Sequence, residues 1–300
     1  MPASGNLFSR LRSGLVFAPL YGLATIAYGA ASMACSPFDG DGRRQHRIAR
    51  AWARMLLRLA RIRVHAEGLE TLRSVAPSAA PAWVSRGPEP ARAAAPAKLQ
   101  PGGAQAGRAL RQPMAAGSAL GQARGAPRQS MVMVCNHLSY MDVPVLFATL
   151  PLQFRILARQ GLFRIPFLGG HLKRAQHLPV DQSNPRASLR SLQLAAAAVA
   201  GGLPLFIFPE AGRSFSGEMR PFVPGAFHIA IQAQVPVVPM VLVGTYEVLP
   251  PGTAHLRPGV IELIVCPPVP TAGLDRRQAP ELAAQVRETM LAIYRRRRPA

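Results

Sequence analysis

The sequence predicts an α/β fold: a single layered domain with a mixed, mostly parallel sheet flanked by helices, preceded by an N-terminal membrane-associated helical segment. Three observations carry that prediction. From Met131 onward, short apolar runs alternate with stretches bearing helix start and stop signals, which is the pattern of a layered α/β domain. Gly14 to Cys35 holds no charged residue, and a spanning helix needs roughly 20 such positions. The chain carries 35 Lys+Arg against 14 Asp+Glu, a formal net charge of +21 over 300 residues. Such a charge draws a protein to anionic surfaces: lipid headgroups, nucleic acid or acidic carrier proteins.

Residues 1–38 read as an apolar membrane-associated segment. Pro19, Gly22 and Gly29 interrupt it, and Thr25 and Ser32 add polarity. Arg10 and Arg12 precede it, as in a secretory signal. The three cysteines, at 35, 135 and 266, have no disulfide or metal spacing and suit a reducing compartment. Arginines flank both ends of the run, so the charge bias sets no orientation and fits entry into and exit from one leaflet. Residues 39–62 read as a basic amphipathic helix. Arg43, Arg47, Arg50, Arg54, Arg58 and Arg61 share one face, and Ile48, Trp52, Met55, Leu59 and Ile62 another. The expectation is a helix in the headgroup plane, apolar side down and arginines on lipid phosphates. The simpler alternative is a surface helix packed on the core.

Residues 63–74 supply the first strand of the α/β domain, Arg63 to Glu67, turning at Gly68. Residues 75–130 are expected to be a disordered insertion, because a segment of Ala, Pro, Gly, Arg and Gln buries too little apolar surface to offset its ordering entropy. Residues 131–300 form the rest of that domain. Its expected strands are Met131–Cys135, Phe154–Ala158, Leu203–Phe208, Val237–Val243 and Val260–Cys266. A helix starts at Asn184 with Pro185 at its first position and stops at Gly201-Gly202. Others span Gly225–Gln234 and about Glu281–Tyr294.

Two clusters carry chemistry. Asn136-His137-Leu138-Ser139-Tyr140-Met141-Asp142 follows an apolar strand. A turn between His137 and Asp142 can bring imidazole and carboxylate together; in that arrangement Asp142 fixes the tautomer and the other ring nitrogen is free to take a proton from an alcohol. Structurally, Asp142 is equally a helix cap and Asn136 and Ser139 ordinary turn formers. The second cluster, Phe208-Pro209-Glu210-Ala211-Gly212-Arg213-Ser214, offers a guanidinium suited to paired phosphate oxygens. A Gly-x-Ser-x-Gly elbow is absent, which argues against a serine hydrolase. His171, His177, His228 and His255 lack ligand spacing, so neither a metal nor a cofactor is expected.

In order and spacing these clusters resemble the glycerophospholipid acyltransferase family, and more specifically its bacterial 1-acyl-glycerol-3-phosphate acyltransferases. The first box is Asn136-His137 through Asp142. Ala158 to Phe163 with Ile165 to Gly169 resembles the second, Phe208 to Ser214 the third, and Val235 to Met240 the fourth. The resemblance implies transfer of a fatty acyl group from acyl-CoA or acyl carrier protein to lysophosphatidic acid. His137 would act as general base and Asp142 as its orienting acid. Arg213, with Arg159 and Glu210, would form the acceptor's phosphate site. Glu210 itself either orients Arg213 or bonds backbone amides. Asn136, Ser139, Gly212, Ser214 and Pro236 support the motifs. Pro236 and Pro239 line the acyl channel or are edge-strand prolines. The implied location is the inner (cytoplasmic) membrane with the catalytic domain facing the cytoplasm, on an anionic membrane surface. One departure stands out: the third box usually reads Pro-Glu-Gly-Thr-Arg-Ser, and Ala211-Gly212 stands here for Gly-Thr, moving the permissive backbone one place. The alternatives are another lysolipid acceptor, a lysophospholipid or lyso-aminolipid, or a basic nucleic-acid-binding protein. The last is opposed by a low aromatic content and the lack of a recognised module.

Overall fold

The computed structural model describes residues 13–35, 39–75, 130–181, 183–253 and 255–298. Arg10, Arg12 and the expected insertion, apart from its two end residues, lie outside the described residues. Those ends belong to the fold: Val75 is buried among core residues, and the Ser130 hydroxyl donates to the Val199 carbonyl.

Seven strands form one sheet: β1 (Ile62–Glu67), β2 (Val132–Cys135), β3 (Arg155–Arg159), β4 (Leu178–Val180), β5 (Leu205–Ile207), β6 (Val237–Val243) and β7 (Gly259–Val265). Their order across the sheet is β1-β7-β6-β2-β5-β3-β4. Every neighbouring pair is parallel except β6 and β7, so the sheet is mixed and mostly parallel. The helices are α1 (Ala18–Cys35, entered through a π-turn at Ser13–Phe17), α2 (Arg43–Leu59), the single turn α3 (Thr71–Ser74), α4 (Asp142–Thr149), α5 (Leu168–Arg174), α6 (Pro185–Ala200), α7 (Gly225–Ala233), the single turn α8 (Thr245–Val248) and α9 (Ala279–Arg297).

The apolar runs are continuous because the strands are covered on both faces. Val132 and Val134 of β2 join a core with Ala195 and Val199 of α6, Phe227 and Ile231 of α7 and Val286 and Met290 of α9. Met131, Met133 and Cys135, one residue out of phase, join a second core with Ala53 and Leu57 of α2 and Val145 and Leu146 of α4. The two-residue side-chain period of a strand separates the two layers. Asn184 caps α6 as its sequence predicts, its side chain accepting the Ala187 N–H at 2.8 Å.

β6 is an interior strand, and Pro239 lies inside it, so the edge-strand reading of Pro239 is corrected. The Pro239 carbonyl accepts the Cys266 N–H at 2.9 Å. On that side the partner strand breaks at Pro267-Pro268, so the missing proline N–H faces a gap in the ladder. β4 was not expected from the sequence: Pro179 at its centre and its three-residue length hide it, and it forms the sheet edge where proline is tolerated.

α2 also departs from expectation. Of the stripe expected to face lipid, Ile48, Trp52 and Met55 are half-buried, Leu59 at the helix end is exposed, and Ile62 belongs to β1. Ala49, Ala53, Leu56 and Leu57 are buried on the domain, and Trp52 is covered by α1, its indole N–H donating to Thr25 Oγ1 at 3.2 Å and its ring meeting Tyr21 edge-on. α1 and the turn leading into it carry an uncovered apolar face: Leu15 is 73% exposed, Leu23 64% and Ile26 49%. The opposite face of α1 (Tyr21, Thr25 and Tyr28, with Phe17 just before it) is half-buried against the protein, and Ser32 is fully buried. Ser32 meets Gln45 and His171 there. The polar residues that dilute the apolar run thus point into the protein.

Candidate active site

The site sits where neighbouring parallel strands end. β2 and β5 pair with Val134 opposite Ile207, and β3 and β5 with Ile156 opposite Phe206. Continuing both registers brings Asn136 and Arg159 level with Pro209. All three loops therefore leave the same carboxyl edge of the sheet, where open α/β sheets bind ligands.

Asn136 fixes the first loop. Its side-chain amide donates to the Leu242 carbonyl and its oxygen accepts the Leu242 N–H, both at 2.8 Å. A side chain thus continues the β2–β6 ladder after the backbone has turned away. Beyond it, His137 Nδ1 lies 2.7 Å from Asp142 Oδ2. The same oxygen accepts the Leu138 N–H at 2.8 Å and the Ser139 N–H at 2.9 Å. Asp142 begins α4, but its side chain does not cap that helix; it turns back to hold the preceding loop and the imidazole. Asp142 is fully buried and the His137 side chain is 12% exposed. A carboxylate only accepts, so Nδ1 carries the proton and Nε2 is left as the acceptor. Phe208 stacks on the imidazole, ring centres 3.8 Å apart and planes 13° from parallel. Ser139 Oγ accepts the Met141 N–H and donates to the Leu249 carbonyl.

The second loop is tied to the first. Ser214 N–H donates to the His137 carbonyl at 2.9 Å, and Ser214 Oγ lies 3.1 Å from Ser216 Oγ. Glu210 is grouped by the sequence with the phosphate ligands. The structure corrects this: Glu210 is buried, with one carboxylate oxygen accepting the His137 N–H at 2.7 Å and the other the Arg220 N–H at 2.8 Å. It braces two backbone segments. Burial pushes its carboxyl up to about 7, against the two N–H donors that pull it down, and the nearby Asp142 charge adds to the rise.

Arg213 lies over the Tyr140 ring, its guanidinium carbon 4.0 Å from the centroid, with Nε buried and unpartnered among the described residues. Stacking orients the fork without consuming its donors. Arg159, at the end of β3, donates to the Ala211 carbonyl at 2.9 Å and so joins the second and third boxes. Ala211 takes φ +55°, in the left-handed region, at the place where the usual motif has glycine; Gly212 does not. The backbone turn is thus kept and the residue beneath it changed. Pro236 precedes β6, and its carbonyl accepts the Val132 N–H at 3.0 Å; it aligns the starts of β2 and β6, at the opposite end of the strands from His137.

Sequence reasoning missed Phe208 as the stacking partner, Tyr140 as the shelf under Arg213, and Arg220 altogether. The aromatics stand inside the two boxes and were legible as candidates, whereas Arg220 is seven residues beyond Arg213 with no motif to flag it. Among the described residues there is no His, Cys, Asp and Glu cluster able to hold a metal ion. His171 and His177 are packed near His46, Phe147 and Phe154.

Residues 120–243 match the family model described as Acyltransferase. The human protein named 1-acyl-sn-glycerol-3-phosphate acyltransferase alpha is 32% identical over 170 residues, covering 56% of this chain and 60% of that protein. The coconut (Cocos nucifera) 1-acyl-sn-glycerol-3-phosphate acyltransferase is 35% identical over 141 residues, 47% of this chain and 46% of its own length. The chain thus spans about half the length of the curated relatives it matches. The crystal structure of the 1-acyl-sn-glycerophosphate (LPA) acyltransferase PlsC from Thermotoga maritima superposes with a TM-score of 0.66, over 96% of this chain and 95% of that one, at 20% identity. That likeness extends the shared fold to the N-terminal helices and the flanking strands. Joined by Glu210 and Ser214 into one site at the carboxyl edge of the sheet, the two sequence boxes both lie within the stretch, residues 120–243, that is similar to the acyltransferase family model.

Proposed function

We propose that the protein transfers a fatty acyl group from a thioester donor, acyl-CoA or acyl carrier protein, to the sn-2 hydroxyl of lysophosphatidic acid, giving phosphatidic acid. The observation that carries this is the His137–Asp142 pair at 2.7 Å, beside an arginine stacked on Tyr140, with neither His137 Nε2 nor the Arg213 fork hydrogen-bonded among the described residues. His137 Nε2 takes the hydroxyl proton as the alcohol oxygen attacks the thioester carbonyl carbon. Asp142 stabilises the imidazolium that forms. The C–S bond breaks as the carbonyl re-forms, and the departing thiolate takes the proton back from His137. Arg213 and Arg159 hold the acceptor's phosphate, which fixes the hydroxyl against the base. The relatives' names, which specify a 1-acyl-sn-glycerol-3-phosphate acceptor, support the phosphate assignment.

In this reading residues 63–74 and 131–300 act as the catalytic unit, and residues 1–38 and 39–62 attach it to the cytoplasmic face of the inner membrane. α1 is apolar enough over Ser13–Cys35 to cross a bilayer. However, from Phe17 to Ser32 one of its faces lies against the protein, and crossing would carry charged neighbours into hydrocarbon. A half-immersed helix in one leaflet, with the exposed arginines of α2 near the headgroups, satisfies both faces.

The test is the purified full chain with lysophosphatidic acid and labelled acyl-CoA, beside His137→Ala. Phosphatidic acid forms with the parent protein and not with the variant, whose melting temperature stays near the parent's. A variant with parental turnover would end the general-base assignment. Turnover of a phosphate-free lysolipid, insensitive to Arg213→Gln, would move the assignment to the alternative acceptors.

A further inference from the structure

The geometry points to Arg220 as a second guanidinium beside Arg159 in the grip on the acceptor's phosphate. This rests on the phosphatidate-forming reading above and names a further residue of its acceptor site.

Arg220 is fixed at its backbone from both sides. Its N–H donates to Glu210 at 2.8 Å, and its carbonyl accepts from Arg287 Nε of α9 at 2.9 Å, while Arg287 Nη2 holds the Met219 carbonyl at 2.9 Å. From that anchor the side chain reaches the space beside Gly212 where a side chain would lie. A Cβ placed on Gly212 would lie 3.2 Å from Arg220 Nη1 and 3.6 Å from Arg159 Nη2. Two guanidiniums from different segments therefore converge on one glycine. Among the described residues neither is in an ion pair with a carboxylate. Like charges placed this way repel one another until an anion lies between them; Arg159 Nη2 donates to the Ala211 carbonyl at 2.9 Å, and the remaining donors of two neighbouring guanidiniums suit the oxygens of a phosphate.

This reading also explains why the third box departs from the usual pattern. A threonine at 212 would put a methyl and a hydroxyl where the guanidiniums lie. Glycine keeps that space open, while the left-handed turn stays at position 211, where alanine takes φ +55°. Glu210 completes the arrangement: one carboxylate holds the His137 N–H and the Arg220 N–H, so the base and this part of the phosphate grip are built on a common brace.

The test compares the full chain with Arg220→Gln and Arg220→Lys across a lysophosphatidic acid concentration series with labelled acyl-CoA. Losing a charge-assisted fork to a bound phosphate raises KM about 10- to 100-fold in Arg220→Gln, with kcat held within about threefold. Lysine recovers part of the loss, having the charge without the fork. A parental KM in Arg220→Gln, or a loss confined to kcat, overturns the proposal. Calorimetric titration with inorganic phosphate decides it separately from the acceptor assignment. Weaker binding by Arg220→Gln than by the parent upholds the anion site even where the parent fails to acylate lysophosphatidic acid. Equal binding, or none to the parent, overturns it.

Discussion

Asp142→Asn tests the site at its most buried point. Asp142 Oδ2 accepts three donors, from His137 Nδ1, Leu138 and Ser139, and Oδ1 is buried with no partner among the described residues. An asparagine that keeps its oxygen on the three donors puts its amide nitrogen where Oδ1 was, and two N–H groups go unpaired there. That lowers stability by about 1–3 kcal/mol without altering the loop. The effect on turnover is larger. At 2.7 Å and an effective dielectric of about 20, the attraction between carboxylate and imidazolium is about 6 kcal/mol. Water reaching the 12% exposed imidazole screens part of it, so about 3–6 kcal/mol of the charge stabilisation realised only when His137 takes its proton is lost. That corresponds to a fall in kcat of about 10²- to 10⁴-fold. KM for lysophosphatidic acid stays near the parental value, because the phosphate contacts are elsewhere. The assay is a substrate series with labelled acyl-CoA, beside a thermal melt. A variant within tenfold of parental kcat while folded would refute the claim that Asp142 stabilises the charged base.

Further outcomes follow from the same geometry. Arg213→Gln raises KM for lysophosphatidic acid about 10- to 100-fold, read in the same series, because a bound phosphate loses a charge-assisted fork. Asn136→Ala leaves both polar groups of Leu242 unsatisfied beside β2 and lowers unfolding free energy by about 2–4 kcal/mol, measured by denaturant titration. Ala211→Gly relieves the left-handed backbone at φ +55°, worth about 1–2 kcal/mol, against about 0.5–1 kcal/mol of added chain entropy, so it raises the melting temperature slightly. His46 and His171 are held down to about 4, in both cases chiefly by burial, with the Arg50 and Arg155 charges adding to it at His46. As pH falls below about 6.5 the unfolded chain takes up these protons first. Stability is therefore full above that value and is lost toward pH 4, by at most about 3 kcal/mol for each histidine. Denaturation at pH 7 and pH 4.5 reads this, and equal stability at the two would contradict it.

What was legible in the sequence is what local chemistry determines. The apolar runs that became β2, β5, β6 and β7, the Asn184 cap with Pro185, and the five-residue step from His137 to Asp142 each depend on a few neighbouring positions. Charge counts marked a basic surface but not its arrangement. Tertiary structure alone decided which apolar face is covered, because the stripe of α2 reads the same whether lipid or α1 lies against it. It alone sent Glu210 to two backbone amides rather than to an arginine, and it placed β1 beside β7, far from its neighbours in sequence. It also brought Arg159 and Arg220, 61 residues apart in the chain, over one glycine. Spacing along a chain fixes geometry within a turn or two of backbone; between strands, geometry is set by sheet register and by packing.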